Sequence, residues 1–260
     1  EESNFVDADL YIIGNAISKE NILLKKILKS KKNITSGPKW LHDNVLSKKT
    51  VIAVSGTHGK TTVTSMISHA LLKNGVNTNY LIAGIPNTLK KSWNISPSEL
   101  FVIEADEYDT CYFDKKPKFF HYNPDILLIN NIEFDHADIY ENIEMIEKNF
   151  LELIASMSKE SKVLVNSNKV RQSFKKSVSN LNATAKIEFF ELSSLDIEEE
   201  NKQLACKALQ EILTTEQVLG SLEDYGGVKR RFETIYENSD FKGIDDFAHH
   251  PTAIEETLTM

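Results

Sequence analysis

The stretch "VIAVSGTHGKTTVTSMISHALLKNG", Val51 to Gly75, runs from an uninterrupted apolar segment through a small-residue turn into a helical pattern. The apolar run predicts a buried strand over 50–56. A helix is expected from about 60 to 73, with Gly75 suited to its C-terminus. Strand, glycine turn and helix in this order form the layout of a phosphate-binding loop. Gly56 and Gly59 let the backbone turn tightly and aim N–H groups at a phosphate. Lys60 reaches the β- and γ-phosphates, the Thr61 hydroxyl suits Mg²⁺, and the helix N-terminus adds a favourable dipole. The common loop is G-x-x-x-x-G-K-[ST], yet the position six before Lys60 is Val54. This loop is therefore a variant, and a bare G-K-T match would equally describe a strand–helix turn with a surface lysine.

Outward from the loop, apolar runs alternate with helical patterns. "ADLYIIGN" (8–15) reads as a buried strand and "ENILLKKILKSK" (20–31) as an amphipathic helix. "ELFVIEAD" (99–106), "DILLINN" (125–131) and "KVLVNSN" (162–168) read as further strands, and "EMIEKNFLELIASM" (144–157) as a helix. "LSSLDIEEENKQLACKALQEIL" (192–213) is helical with an acidic start. The segment 227–258 reads as strand, loop, strand and the start of a helix, with Pro251 in its first turn. Strands alternating with helices predict an α/β fold with a doubly wound, mostly parallel sheet. Ligands in such sheets sit at the carboxyl ends of the strands.

Composition narrows the field. The 260 residues are 41% hydrophobic, enough for a packed core, and the net charge of −8 argues against generic binding to nucleic acid or an anionic membrane. No run approaches the length of a membrane-spanning helix, and the acidic opening "EESNFVDADLYIIGN" does not resemble a signal peptide. Cys111 and Cys206 lie in no metal-ligand spacing, so two free thiols in a reducing cytoplasm are expected.

Three polar clusters follow the predicted strands. In "VIEADEYD", Glu104 ends a strand, with Asp106, Glu107 and Asp109 beyond it. An acidic cluster alone is an ordinary solvated loop, but beside a phosphate loop a carboxylate at a strand end is a natural Mg²⁺ ligand. "NNIEFDHADIY" carries Asn130, Asn131, Glu133, Asp135, His136 and Asp138. Here His136 reads either as a metal ligand or as a structural histidine, since Mg²⁺ prefers oxygen. "DDFAHHP" (245–251) reads as a polar loop before a helix or as a functional cluster. Arg230 and Arg231 in "KRRFE" suit a phosphate clamp or a surface basic patch.

Together, in this order, these segments resemble the Mur ligase family, the ATP-dependent amide-forming enzymes of peptidoglycan. The family loop G-T-[NH]-G-K-[ST] matches Gly56 to Thr61 and lacks the distal glycine, which fits Val54. "EADE" matches Glu104 to Glu107, and "N-[IL]-E-x-D-H-x-D" matches Asn131 to Asp138. "R-R-x-E" matches Arg230 to Glu233, and "D-D-[YF]-A-H-H-P-T" matches Asp245 to Thr252. The resemblance implies a catalytic set of Lys60, His136 and Arg231. It implies ATP contacts from Gly56, Thr57, His58, Gly59, Lys60, Thr61, Thr62, Asn201, Arg231 and Asp246. Mg²⁺ would be held by Thr61 and Glu104, with a second ion at His136. Asn15, Glu104, His249 and His250 would lie near the substrates. His58 points to the branch that binds UDP-N-acetylmuramate. The stretches 12–21, 36–46 and 113–140 look more like the members whose amine substrate is the murein tripeptide than like those that add L-alanine. A non-catalytic nucleotide-binding remnant and a general phosphate-loop NTPase or kinase are the readings from other classes. The expected partition is residues 1–48 from an N-terminal UDP-sugar-binding domain, 49–242 as the ATP-binding domain and 243–260 opening a C-terminal domain. The chain departs from the family at Glu198 to Asn201, "EEEN" where members carry G-x-H-N. The stretch before it is also shorter than the family's, as expected if segments of a longer protein are absent.

Overall fold

Val51 to Val54 need cover on both faces, and the chain is wound to supply it. In the computed structural model, which describes residues 5–192 and 196–259, strand β1 (Leu10–Ile13), helix α1 (Ile22–Lys29), strand β2 (Asn33–Ser36) and helix α2 (Gly37–Asn44) come first. β1 and β2 pair in parallel. Asn21 and Ser36 accept from the backbone N–H of Leu24 and Lys39, which satisfies donors that the first turns of α1 and α2 leave open.

The central unit begins with β3 (Thr50–Ser55), α3 (Lys60–Lys73), β4 (Asn79–Leu81), β5 (Trp93–Asn94) and β6 (Leu100–Glu104). A hairpin of β7 (Asp109–Cys111) and β8 (Asp114–Pro117) leads into the single turn α4 (Phe119–Tyr122). Then follow β9 (Ile126–Ile129), α5 (Ile143–Ser156), β10 (Lys162–Asn166), α6 (Gln172–Asn180), β11 (Lys186–Phe190), α7 (Ile197–Leu209) and α8 (Thr215–Leu222). The antiparallel pair β12 (Glu233–Glu237) and β13 (Lys242–Asp245) precedes α9 (Pro251–Thr259).

Seven strands form one sheet in the order β11-β10-β9-β3-β6-β4-β5. Every pairing is parallel except β4–β5, so the expected mostly parallel, doubly wound sheet is present. Alternation along β3 sends Val51 and Ala53 to one core with Phe101, Phe119 and Phe150. Ile52 and Val54 go to the other, with Val63, Ile67, Leu71 and Leu204. A sheet buried on both faces requires this continuous apolar reading. β6 and β9 flank β3 on opposite sides, so the winding reverses there and the crevice opens at the carboxyl ends of these strands.

Gly75, at φ +76°, follows the end of α3. It donates to the Leu72 carbonyl while Val76 donates to that of Leu71, the paired bonds of a glycine-terminated helix. Among the described residues, no helix is long and apolar enough to cross a membrane, and both cysteines are free. Residues 193–195 of the expected helix over 192–213 lie outside the described residues, and α7 itself begins at Ile197.

Candidate active site

The turn after β3 is pressed against the end of β9. Gly56 lies at φ +139° and Gly59 at φ +79°, conformations that side chains rarely adopt. A Cβ on Gly56 would lie 3.0 Å from the Asn131 backbone, and one on Gly59 would lie 2.9 Å from Asn130 Nδ2. Asn131 holds the loop from two sides: its Oδ1 accepts from His58 N at 3.1 Å and its Nδ2 donates to His58 O at 3.1 Å. Asn130 and Asn131 stood out in the sequence as polar residues at a strand end, without a role. They are the wall against which the loop is shaped.

α3 starts at Lys60, whose ammonium is almost buried. It donates to Gly56 O at 2.6 Å, to Thr57 O at 3.3 Å and to Glu107 Oε2 at 3.0 Å, and lies 3.8 Å from Asp106 Oδ1. Burial alone would depress its pKa, but Glu107, Asp106 and Glu104 outweigh that effect and raise it, so the amine stays charged. The Thr61 hydroxyl donates to Glu104 Oε1 at 2.9 Å and accepts from Arg231 Nη2 at 3.2 Å. Glu104 Oε2 accepts from Ala83 N at 2.9 Å. Burial, reinforced by Asp106, pushes the Glu104 carboxyl upward. Arg231 also stacks over Phe247, with its Cζ 5.6 Å from the ring centroid. A loop cation, a hydroxyl, a carboxylate and a guanidinium thus meet at the carboxyl ends of β3 and β6.

Thr61 and Glu104 present adjacent oxygens, the donor type that Mg²⁺ takes. His136, in contrast, faces carboxylates: its Nε2 is 3.5 Å from Glu107 Oε1 and 3.8 Å from Asp135 Oδ2, and the Glu107 carboxylate raises its pKa. Among the described residues, no three His, Cys, Asp or Glu side chains gather into a ready metal cluster.

His58 turns to Glu133, with Nε2 and Oε1 3.0 Å apart. Glu133 also accepts from the Thr252 hydroxyl at 2.5 Å and lies 3.5 Å from His250 Nδ1, so it ties the loop to α9. His58, with the Thr252 hydroxyl supporting it, holds the Glu133 carboxyl down at about 2. The resemblance gives Glu133 no role, although the residue falls within the matched segment Asn131 to Asp138 that follows β9.

Two adjoining cavities share Arg231, Ala248 and Ala253. One, of about 280 Å³, is lined by Gly59, Thr62, Asn201, Tyr225, Phe232 and Asp246 among others. Asp246 accepts there from the N–H groups of Phe232 and Ala248. The larger, of about 550 Å³, is lined by Asn15, Thr57, His58, Lys60, Thr61, Glu104, His136, Arg231, His249 and His250. The expected residues are therefore brought together around two neighbouring spaces. Asn15 sits at the rim, where it also lines a third cavity beside Trp40 and Tyr122. His249 is exposed, and its Nδ1 lies 3.0 Å from Phe247 O.

The chain is similar in sequence and fold to known proteins. The model of the Mur ligase middle domain matches residues 54–217. A UDP-N-acetylmuramate–L-alanyl-gamma-D-glutamyl-meso-2,6-diaminoheptandioate ligase of Haemophilus influenzae is 36% identical over 283 residues, covering 96% of this chain and 62% of that one. The protein of the same name in Escherichia coli is 33% identical over 288 residues, with 96% and 61% covered. The crystal structure of a UDP-N-acetylmuramate:L-alanyl-gamma-D-glutamyl-meso-diaminopimelate ligase from Neisseria meningitides superposes with a TM-score of 0.78 at 30% identity, over 86% of this chain and 80% of that one. The chain spans about three fifths of the length of these two curated relatives.

Proposed function

This chain belongs to the Mur ligase family, and from that membership we propose that the protein is an ATP-dependent ligase. In this reading it joins L-alanyl-γ-D-glutamyl-meso-diaminopimelate to UDP-N-acetylmuramate. The observation that carries the reading is the convergence of Lys60, Thr61, Glu104 and Arg231 at one end of the sheet. The choice of tripeptide over L-alanine rests on the relatives at 33% and 36% identity, both named for the tripeptide.

A free carboxylate is a poor electrophile. In the proposed reaction a lactyl carboxylate oxygen of the sugar nucleotide attacks the γ-phosphorus of ATP, giving an acyl phosphate and ADP. The α-amine of the tripeptide's L-alanine then attacks the acyl carbon, loses a proton and releases phosphate as the amide forms. Lys60 and Arg231 stabilise charge on the transferred phosphoryl group, and Gly56 to Thr62 cradle the phosphates through backbone N–H groups. Mg²⁺, held by the oxygens of Thr61 and Glu104, would neutralise phosphate charge when bound, and His136 would serve a second ion. Asn201 and Asp246 line the nucleoside side of the crevice, while Asn15, His249 and His250 face the sugar nucleotide and amine. The matching partition is 1–48 for the sugar nucleotide, 49–242 for ATP and 243–260 opening the third domain. ATP and a nucleotide sugar as substrates imply work in the cytoplasm.

Labelling tests the acyl phosphate. UDP-N-acetylmuramate carrying ¹⁸O in its carboxylate is expected to pass one ¹⁸O to the released phosphate for each amide formed. Phosphate free of label would refute the activation step.

A further inference from the structure

Glu107 has no part in the reaction just described, yet it is among the most enclosed ionisable groups of the site. The residue is 1% exposed. A carboxylate this far from water is costly unless cations and hydrogen bonds satisfy it. Its two oxygens face two different partners. Oε2 accepts from Lys60 Nζ at 3.0 Å, while Oε1 makes no hydrogen bond among the described residues and has His136 Nε2 at 3.5 Å. The backbone is fixed as well, because the buried Tyr140 hydroxyl donates to the Glu107 carbonyl and accepts from Asn149 Nδ2. Its neighbour Asp106 is differently employed, pairing with Lys118 at 3.0 Å.

We propose that Glu107 is a positioning residue, one carboxylate whose two oxygens set the places of Lys60 and His136 for phosphoryl transfer. The proposal rests on the ligase reading above. It has a consequence that a purely structural role lacks. A fixed negative charge beside the phosphate-binding lysine orders the site but also repels the incoming phosphates, within a Debye length. Removing the charge while keeping the shape therefore separates binding from chemistry. Asp106 at 3.8 Å and two loop carbonyls remain around the Lys60 ammonium, so Glu107→Gln is expected to fold.

The test uses the intact protein, with ADP binding by calorimetry and amide formation measured separately. In Glu107→Gln, ADP is expected to bind about fivefold tighter, about 1 kcal/mol, while kcat falls at least about tenfold. In Glu107→Asp the charge is kept on a side chain too short to reach both Lys60 and His136, so ADP affinity stays near wild type while kcat falls. Tyr140→Phe, which loosens the Glu107 backbone without touching charge, is expected to lower kcat about threefold at unchanged ADP affinity; it is the variant to rely on if the others fail to fold. The proposal is overturned if Glu107→Gln keeps kcat within about twofold, if its ADP affinity falls together with kcat, or if Tyr140→Phe is indistinguishable from wild type. A wild-type protein that makes no amide refutes the ligase reading instead, and the ADP measurements then decide the role of Glu107 by themselves.

Discussion

Replacing Gly56 by alanine tests whether the loop owes its shape to contact with the end of β9. Two costs add. At φ +139° a non-glycine residue pays about 1–3 kcal/mol in backbone strain. The new Cβ would also meet the backbone N and O of Asn131 at 3.0 Å, atoms that cannot swing aside as a flexible side chain does. A total near 3 kcal/mol corresponds to a fall in melting temperature of about 6–12 °C for a domain of this size. Gly75→Ala is the matched control: its φ is +76°, but nothing among the described residues lies within 4 Å of the added Cβ. That substitution should cost about 1 kcal/mol and about 2–4 °C. Because a displaced loop forfeits about one phosphate hydrogen bond, Gly56→Ala should also weaken ADP about tenfold. Thermal melts of both variants, followed by ADP titration, give the answer. If Gly56→Ala melts no lower than Gly75→Ala, the reasoning about Asn131 is wrong.

Other outcomes follow from the same geometry. Arg231→Lys loses the planar donor that reaches Thr61 and stacks on Phe247, so ATP-dependent turnover should fall at least about tenfold while the melting temperature stays within about 2 °C; unchanged turnover would remove Arg231 from the site. The Glu133 carboxyl is held at about 2 against its ordinary 4.5. A lowered pKa means its stabilisation is complete above about pH 4.5 and is lost as pH falls toward about 2. Melting temperature across that window should therefore drop less steeply in Glu133→Gln than in wild type, and parallel curves would show that the His58 and Thr252 contacts carry no stability.

What the sequence revealed was governed by local rules. The strand at 50–56 and the helix at 60–73 appear as Thr50–Ser55 and Lys60–Lys73 because a continuous apolar run, a glycine turn and a glycine-terminated helix are all short-range signals. The strands at 99–106, 125–131 and 162–168 and the helix at 144–157 were legible for the same reason. Gln172–Asn180 carries little helix signal: it buries only Phe174 and Val178, and its N-cap residue Arg171 offers no side-chain cap. Thr215–Leu222 is short, and its main signal is the capping box that Thr214 and Gln217 form. In the candidate site, the sequence marks Lys60, Glu104 and Arg231 by type and place, and Thr61 links the latter two in the structure. The partnerships of Asn131 with Gly56, of Glu107 with Lys60 and of Glu133 with α9 join residues 47 to 119 positions apart. No spacing rule encodes such contacts, which arise only when β3, β6 and β9 are aligned side by side.

The most direct test of the proposed function supplies the intact protein with ATP, Mg²⁺ and UDP-N-acetylmuramate, and then with one amine at a time. With L-alanyl-γ-D-glutamyl-meso-diaminopimelate, ADP, phosphate and the amide product are expected in equal amounts, and with L-alanine little or none. Product formed from L-alanine and not from the tripeptide, or ATP bound without product from either, would contradict the account.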